Sequence, residues 1–307
     1  MEQQNQGTVQ PFRVAGLGEV LWDLLPGGKQ LGGAPANFAF HAQALGVESA
    51  IVSVVGSDGL GRELLETLAS RGLSDEHIAV EDSLPTGTVD VRLDSQGKPE
   101  FVIHEEVAWD KIRLTKTLQH LARGLSVVCF GTLAQRSPIS RTTIRDMLRS
   151  TPPSCIRVLD VNLRQKFYTP AIVQESLGLS TCLKLNEDEL PEVARLCSLS
   201  GTEREILRGL LDRFNLEMIA LTRGEKGSLL FTKTESTEVI PPGIEVADTV
   251  GAGDAFTAAL AVGILRKLPL EVINRRAAAL AGYVCTQEGA MPEIPEDLRL
   301  MWKETRQ

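Results

Sequence analysis

The sequence is poor in aromatic residues, 5% of the chain, and in cations: 32 Lys and Arg stand against 40 Asp and Glu, a formal net charge of −8. An acid surplus without a basic run leaves no footprint for nucleic acid or an anionic membrane surface. Cysteine is scarce as well. Cys129, Cys155, Cys182, Cys197 and Cys285 are odd in number, unpaired in spacing and mostly set in apolar runs such as Val127-Val128-Cys129-Phe130. They read as reduced core thiols of a cytoplasmic protein, not as disulfides or zinc ligands. The four histidines, His41, His77, His104 and His120, are dispersed and form no metal pattern. The longest apolar helical stretch, residues 255–265, is too short to span a bilayer. Residues 1–11 are polar and read as a disordered tail rather than a signal peptide.

Two familiar nucleotide signatures are also missing. No Gly-x4-Gly-Lys-Ser/Thr loop occurs, and Gly16-x-Gly18 lacks the third glycine of a dinucleotide fingerprint.

What remains is an alternation. Strand patterns at 12–19, 50–55, 125–131, 156–161, 181–185, 217–222 and 228–231 are interleaved with helix patterns at 35–45, 60–71, 139–149, 187–197 and 202–214. This predicts an α/β fold: a doubly wound, mostly parallel sheet covered by helices on both faces, with ligands at the carboxyl ends of the strands. Residues 12–307 read as one domain. Two segments break the rhythm, 21–33 and 86–109, the second a hairpin pattern around Asp94-Ser95-Gln96-Gly97. They predict a small inserted β-sheet, either a lid over a substrate or a surface hairpin.

The segment Asp248-Thr249-Val250-Gly251-Ala252-Gly253-Asp254 leads into an apolar run with Phe256, Leu260 and Ile264 at four-residue spacing. Gly251, Ala252 and Gly253 thus fall at a helix N-terminus, where unpaired amides face outward and small residues let an anion approach. Asp254 would repel a phosphate, which makes sense if it takes the proton from a hydroxyl attacking that phosphate. Taken alone, the same residues describe a glycine-bearing helix start with a first-turn acid.

Other clusters add to the pattern. Asp23, Gly32, Gly33 and Asn37 join a carboxylate and an amide to bare backbone, a set suited to a neutral polyol or to a turn and helix cap. Arg164 follows a strand and can offer a planar donor fork to a phosphate. Asn186 and Glu189 open a helix with capping-box-like spacing, or orient waters around a magnesium ion. Thr222, Gly224 and Gly227 form a nucleotide-binding turn or a plain hairpin turn. The acceptor region has no lysine in its glycine segment; the hairpin adds Glu100, Glu105 and Glu106 alongside Arg92 and Lys98, and His104 could face the ligand.

In this order the segments resemble the ribokinase-like, or phosphofructokinase-B, family of sugar kinases, over about residues 12–298. Gly32-Gly33-x-x-x-Asn37 and Asp248-Thr249-x-Gly251-Ala252-Gly253-Asp254 carry the likeness. Gly18-Glu19-x-Leu21-x-Asp23, Ala108-Trp109-Asp110 and Gly289-Ala290-Met291-Pro292 bring it nearest to the fructokinases. The resemblance implies ATP as phosphoryl donor with Mg2+, Asp254 as base, and a sugar held by Asp23, Gly33, Asn37 and Asp254. It implies a nucleotide near Thr222, Gly224 and Gly227, and a K+ site at Asp248, the Val250 carbonyl and the Gly289 region. A homodimer paired through the lid is a further implication. The expected acceptor is a neutral hexose, fructose first. Kinases for 2-keto-3-deoxygluconate, ribose or a nucleoside are the alternatives, as is a catalytically silent binding scaffold.

Overall fold

The computed structural model describes residues 12–25, 27–93 and 99–303. The expected tail at 1–11 and hairpin turn at 94–97 lie outside the described residues, as does Lys98. So do the side chains of Arg92 and Glu100.

A strand covered on both faces must be apolar on both, because successive side chains point to opposite sides. The seven expected strands meet that demand and are found. The first half of the chain makes β1 (Arg13–Leu17), β2 (Leu21–Leu25), β3 (Gly28–Gly32), α1 (Ala34–Ala44), β4 (Glu48–Gly56), α2 (Gly59–Ser70), β5 (Ile78–Glu81), β6 (Thr88–Leu93) and β7 (Pro99–Ile103). Next come α3 (Lys116–Arg123), β8 (Val127–Phe130), α4 (Pro138–Ser150), β9 (Ile156–Asp160), α5 (Pro170–Leu179), β10 (Cys182–Asn186), α6 (Glu189–Leu196) and α7 (Glu203–Phe214). The chain closes with β11 (Met218–Thr222), β12 (Ser228–Thr232), β13 (Ser236–Val239), α8 (Ala252–Leu265), α9 (Leu270–Cys285) and α10 (Glu296–Lys303).

Among the described residues, nine strands form one sheet in the order β13-β12-β11-β10-β9-β8-β1-β4-β5. It is parallel throughout except at β11–β12 and β12–β13, which are antiparallel. Alternation divides its side chains between two cores. Ala15, Leu17, Val128, Phe130, Leu159, Leu183 and Ile219 face the α3–α7 side. Val14, Val127, Cys129, Val158, Cys182 and Ala220 face α1, α8 and α9. Four cysteines are buried in these cores, Cys285 is half-buried, and all five are free thiols.

A separate four-stranded sheet, β3-β2-β6-β7, is built from the two segments that break the alternation. Trp22 and Leu31 anchor its base against α1, α2 and β4. The register sets Asp23 beside Val89 and Val89 beside Ile103, so one face carries this row across three strands. That face covers the carboxyl end of the large sheet as a lid. Among the described residues no helix is long and apolar enough to cross a membrane.

Candidate active site

Helix α8 opens where the strands end. Gly251 caps it with φ +79°, and a Cβ there would lie 2.5 Å from Ala290 Cα, so both conformation and space require glycine. At Gly253 a Cβ would lie 2.9 Å from Lys184 Nζ. The first turn therefore presents bare amides to a cleft of about 510 Å³ whose walls include Asp23, Gly33, Asn37, Arg164, Gly251, Gly253 and Asp254. The sequence-predicted anion hole, base and acceptor residues thus meet in one place. Gly32 is set just behind: a Cβ there would strike Asp23 Oδ2 at 2.3 Å, so its smallness makes room for that carboxyl. Gly33, φ +108°, packs its α-carbon on the Glu19 carbonyl.

Asp254 accepts a 2.7 Å hydrogen bond from Asn37 Nδ2. Its pKa is raised to about 7, first by loss of water and then by the charge of Asp160, against the Asn37 bond and the Lys184 and Arg164 charges. A carboxyl poised there suits a general base. Asn37 Oδ1, buried, has no partner among the described residues and is open to a donor. Asp23 is likewise raised, to about 6, by burial, with Arg164 pulling it down. Arg164 is exposed and acts electrostatically on Asp23, Asp254 and Glu19 alike. It sits on a loop where Asn162 and Gln165 take positive φ, 40° and 48°.

Sequence reasoning assigned no role to the ion pair beneath this site. Lys184 Nζ and Asp160 Oδ1 lie 3.1 Å apart with both side chains under 10% exposed. Thr257 Oγ1 donates to Asp160 Oδ2 at 2.9 Å, tying the pair to α8. Burial pulls the Lys184 pKa down, but Asp160, Glu189 and Asp254 outweigh it and the net shift is upward. The available signal was a lysine inside the apolar strand Cys182-Leu183-Lys184-Leu185, where an unpaired charge would be intolerable.

A second cleft of about 360 Å³ shares Thr222, Thr249 and Gly253 with the first. Gly224 and Gly227 line it, and its floor is apolar: Pro241, Pro242, Ile244, Phe256, Ala278 and Ala281. Gly227 has φ +94° and packs on the Val239 carbonyl, so the hairpin turn and the cleft wall are the same structure. The apolar floor is a surface sequence reasoning missed, because α9 supplies to it the small Ala278 and Ala281, off its buried stripe of Leu270, Ile273, Ala277, Leu280 and Val284.

Asn186 lines the first cleft; Glu189 does not. The carboxyl oxygens of Glu189 accept from Leu163 N and Asn186 N, each at 2.9 Å, while Asn186 Oδ1 accepts from Asp188 N and Glu189 N. The cap is formed, and it also holds the loop that carries Arg164. Asp248 bonds Val250 N at 3.0 Å and Gly289 N at 3.1 Å, which brings together the three positions of the implied monovalent-cation site. Asp110 and Trp109 stand outside the cleft: Arg136 grips both Asp110 oxygens at 2.9 Å and stacks 3.9 Å from the Trp109 ring. His104 does not line the cleft but pairs with Asp90 at 3.3 Å, and Glu105 and Glu106 are exposed.

The pfkB family carbohydrate kinase profile matches residues 27–297. An uncharacterized sugar kinase of Pyrococcus horikoshii is 30% identical, with 96% of each chain covered. Its crystal structure superimposes with a TM-score of 0.81 over 95% of this chain and 99% of that one, at 27% identity. Its complex with ATP gives 0.77 at 28% identity, covering 91% and 94%. The fructokinase of Salmonella typhimurium is 29% identical over 91% of this chain and 95% of its own. With the glycine segments, Asp254 and the lid sharing one cleft, the chain belongs to the pfkB family of carbohydrate kinases.

Proposed function

We propose that this kinase transfers the γ-phosphoryl group of ATP to the primary hydroxyl of a neutral sugar, fructose first. The observation that carries the reading is Asp254, a carboxyl raised to about 7 on the helix turn where the two clefts meet. The apolar cleft beside Gly224 and Gly227 accepts the base of the nucleotide, which runs its phosphates toward Gly253. The complex of the Pyrococcus relative with ATP supports this donor.

Asp254 takes the hydroxyl proton as the sugar oxygen bonds to the γ-phosphorus and the bond to the leaving ADP oxygen breaks. The amides of Gly251, Ala252 and Gly253 stabilise charge on the transferring group, with Arg164 at its side. The glycine cradle and the Lys184 cation beside it fit a polyphosphate. Asn186, steadied by Glu189, would help hold the hydrated Mg2+, which when bound neutralises phosphate charge. Asp248, the Val250 carbonyl and the Gly289 region would hold K+. The reading also includes a homodimer through the edge strands β3 and β7, and a cytoplasmic setting suited to free thiols.

The carboxyls of Asp23 and Asp254 make the acceptor end hostile to a second phosphate, since an anion buried against carboxylates is strongly disfavoured. A purified-protein screen with ATP, comparing kcat/KM for fructose and fructose 6-phosphate, tests the reading. Fructose is expected to lead, and a clear preference for the phosphorylated sugar overturns it. The same screen, run with 2-keto-3-deoxygluconate, ribose and nucleosides, separates the family alternatives. Any sugar-dependent ATP turnover that Asp254→Ala abolishes excludes a silent scaffold.

A further inference from the structure

One buried carboxyl of the acceptor cleft has no part in the transfer just described. Glu19 lies on the turn between β1 and β2 and lines the cleft with Leu21, Asp23 and Asn37. It is 3% exposed, and its buried Oε2 has no hydrogen-bond partner among the described residues. Two guanidinium groups, Arg164 and Arg136, act on it from a distance, but Arg136 is already committed to Asp110. A buried polar atom without a partner is costly and calls for an absent one. The backbone around Glu19 is fixed by close packing of Gly33 on its carbonyl, so the side chain cannot easily leave the cleft.

We propose that Glu19 is an acceptor-recognition residue, its unpaired carboxyl oxygen completed by a sugar hydroxyl other than the one phosphorylated at Asp254. The inference rests on the sugar-kinase reading and adds how the acceptor is sorted. Burial raises the Glu19 pKa and Asp160 adds to it, against a backbone hydrogen bond at Glu19 itself and the charges of Arg164 and Arg136. Glu19 Oε2 and the open Asn37 Oδ1 are two unpartnered buried oxygens facing a hydroxyl-bearing carbon frame. An acceptor lacking that hydroxyl would leave the acid buried and unpaired, which is the circumstance in which enzymes discriminate most strongly.

The test is a cycle between residue and hydroxyl. Glu19→Met keeps chain length without hydrogen bonding, and Glu19→Gln keeps both length and neutral hydrogen bonding. Each is assayed with the best acceptor from the screen and with its single-deoxy analogues. Glu19→Met is expected to lose on the order of 10–100-fold in kcat/KM on the parent sugar. It should lose almost nothing on one particular deoxy analogue, and its KM for ATP should not move. Glu19→Gln should keep most of the parent activity, with any altered discrimination confined to that same analogue. An equal factor on every analogue, or a fully active Glu19→Met, overturns the assignment and leaves Glu19 a packing residue. If Glu19→Met melts below the assay temperature, the cycle is read on Glu19→Gln as a change in discrimination: a change confined to one deoxy analogue supports the assignment, and no change on any analogue overturns it. An active wild type without coupling sinks only Glu19, whereas a wild type that phosphorylates no sugar sinks the kinase reading and this inference with it.

Discussion

Asn37 Nδ2 donates to Asp254 Oδ2 at 2.7 Å, joining the opening turns of α1 and α8 across 217 positions of sequence. The bond restrains the orientation of the carboxyl at the wall of the cleft. It also lowers the Asp254 pKa, so it restrains a group that burial and Asp160 push upward.

Asp254→Asn keeps the shape and loses the proton acceptor. A fall in kcat on the order of 10²–10⁴-fold is expected, with ATP affinity little changed. Titrations with ATP and steady-state assays check this; near-normal turnover would mean that Asp254 is not the base.

The same substitution should stabilise the protein above neutrality. A carboxyl raised from 3.8 to about 7 contributes stability that is whole below pH 3.8 and is lost as pH climbs through about 7. At pH 8 the native wild type therefore carries a disfavoured buried charge that Asn removes. Thermal melts at pH 8 should show Asp254→Asn higher by roughly a few degrees, with the gap closing at pH 5.

Activity should follow the opposite course. The base works only when deprotonated, so kcat/KM for the sugar should rise tenfold per pH unit below about 7 and flatten above it. A profile flat from pH 5 to 9 contradicts this assignment.

Lys184→Met leaves Asp160 buried without its cation. Breaking such a pair costs about 3–5 kcal/mol, visible in denaturant unfolding. Because Lys184 also lowers the Asp254 pKa, the acid limb of any remaining activity should move to higher pH. Adding Asp160→Asn should restore much of the stability; a double variant no more stable than Lys184→Met would show that the pair is not the cause.

Gly253→Val sets a branched side chain against Lys184 Nζ, 2.9 Å from the Cβ position, and over the amides. Turnover should drop on the order of 10²-fold, and nucleotide affinity should drop with it. A folded variant that binds ATP normally removes the anion-hole assignment.

Most of the large sheet was legible because strands buried on both faces are largely apolar, Arg157 and Lys184 aside, and are followed by helix or turn signals. The elements missed have physical reasons. Strand β13 is polar because it lies at the sheet edge, and α5 is only ten residues long, with Pro170 at its start and the poor helix former Gly178 near its end. Helix α3 is short and charged. Asp254 and the glycine segment could be found because their chemistry is local: a helix N-terminus and its first-turn acid occupy adjacent positions.

Several assignments belong to the tertiary structure alone. Glu19, Asp160 and Lys184 stand on three different strands or their ends, and nothing in their local sequence says that one carboxyl lacks a partner while the other two groups pair. The raised Asp254 pKa is likewise a property of burial and of charges brought from distant strands. Local sequence decides what a segment can form and what chemistry it carries. Which charges share a low-dielectric cleft, and so which protons are held, is decided by packing, because electrostatic energy depends on distance in space and not along the chain.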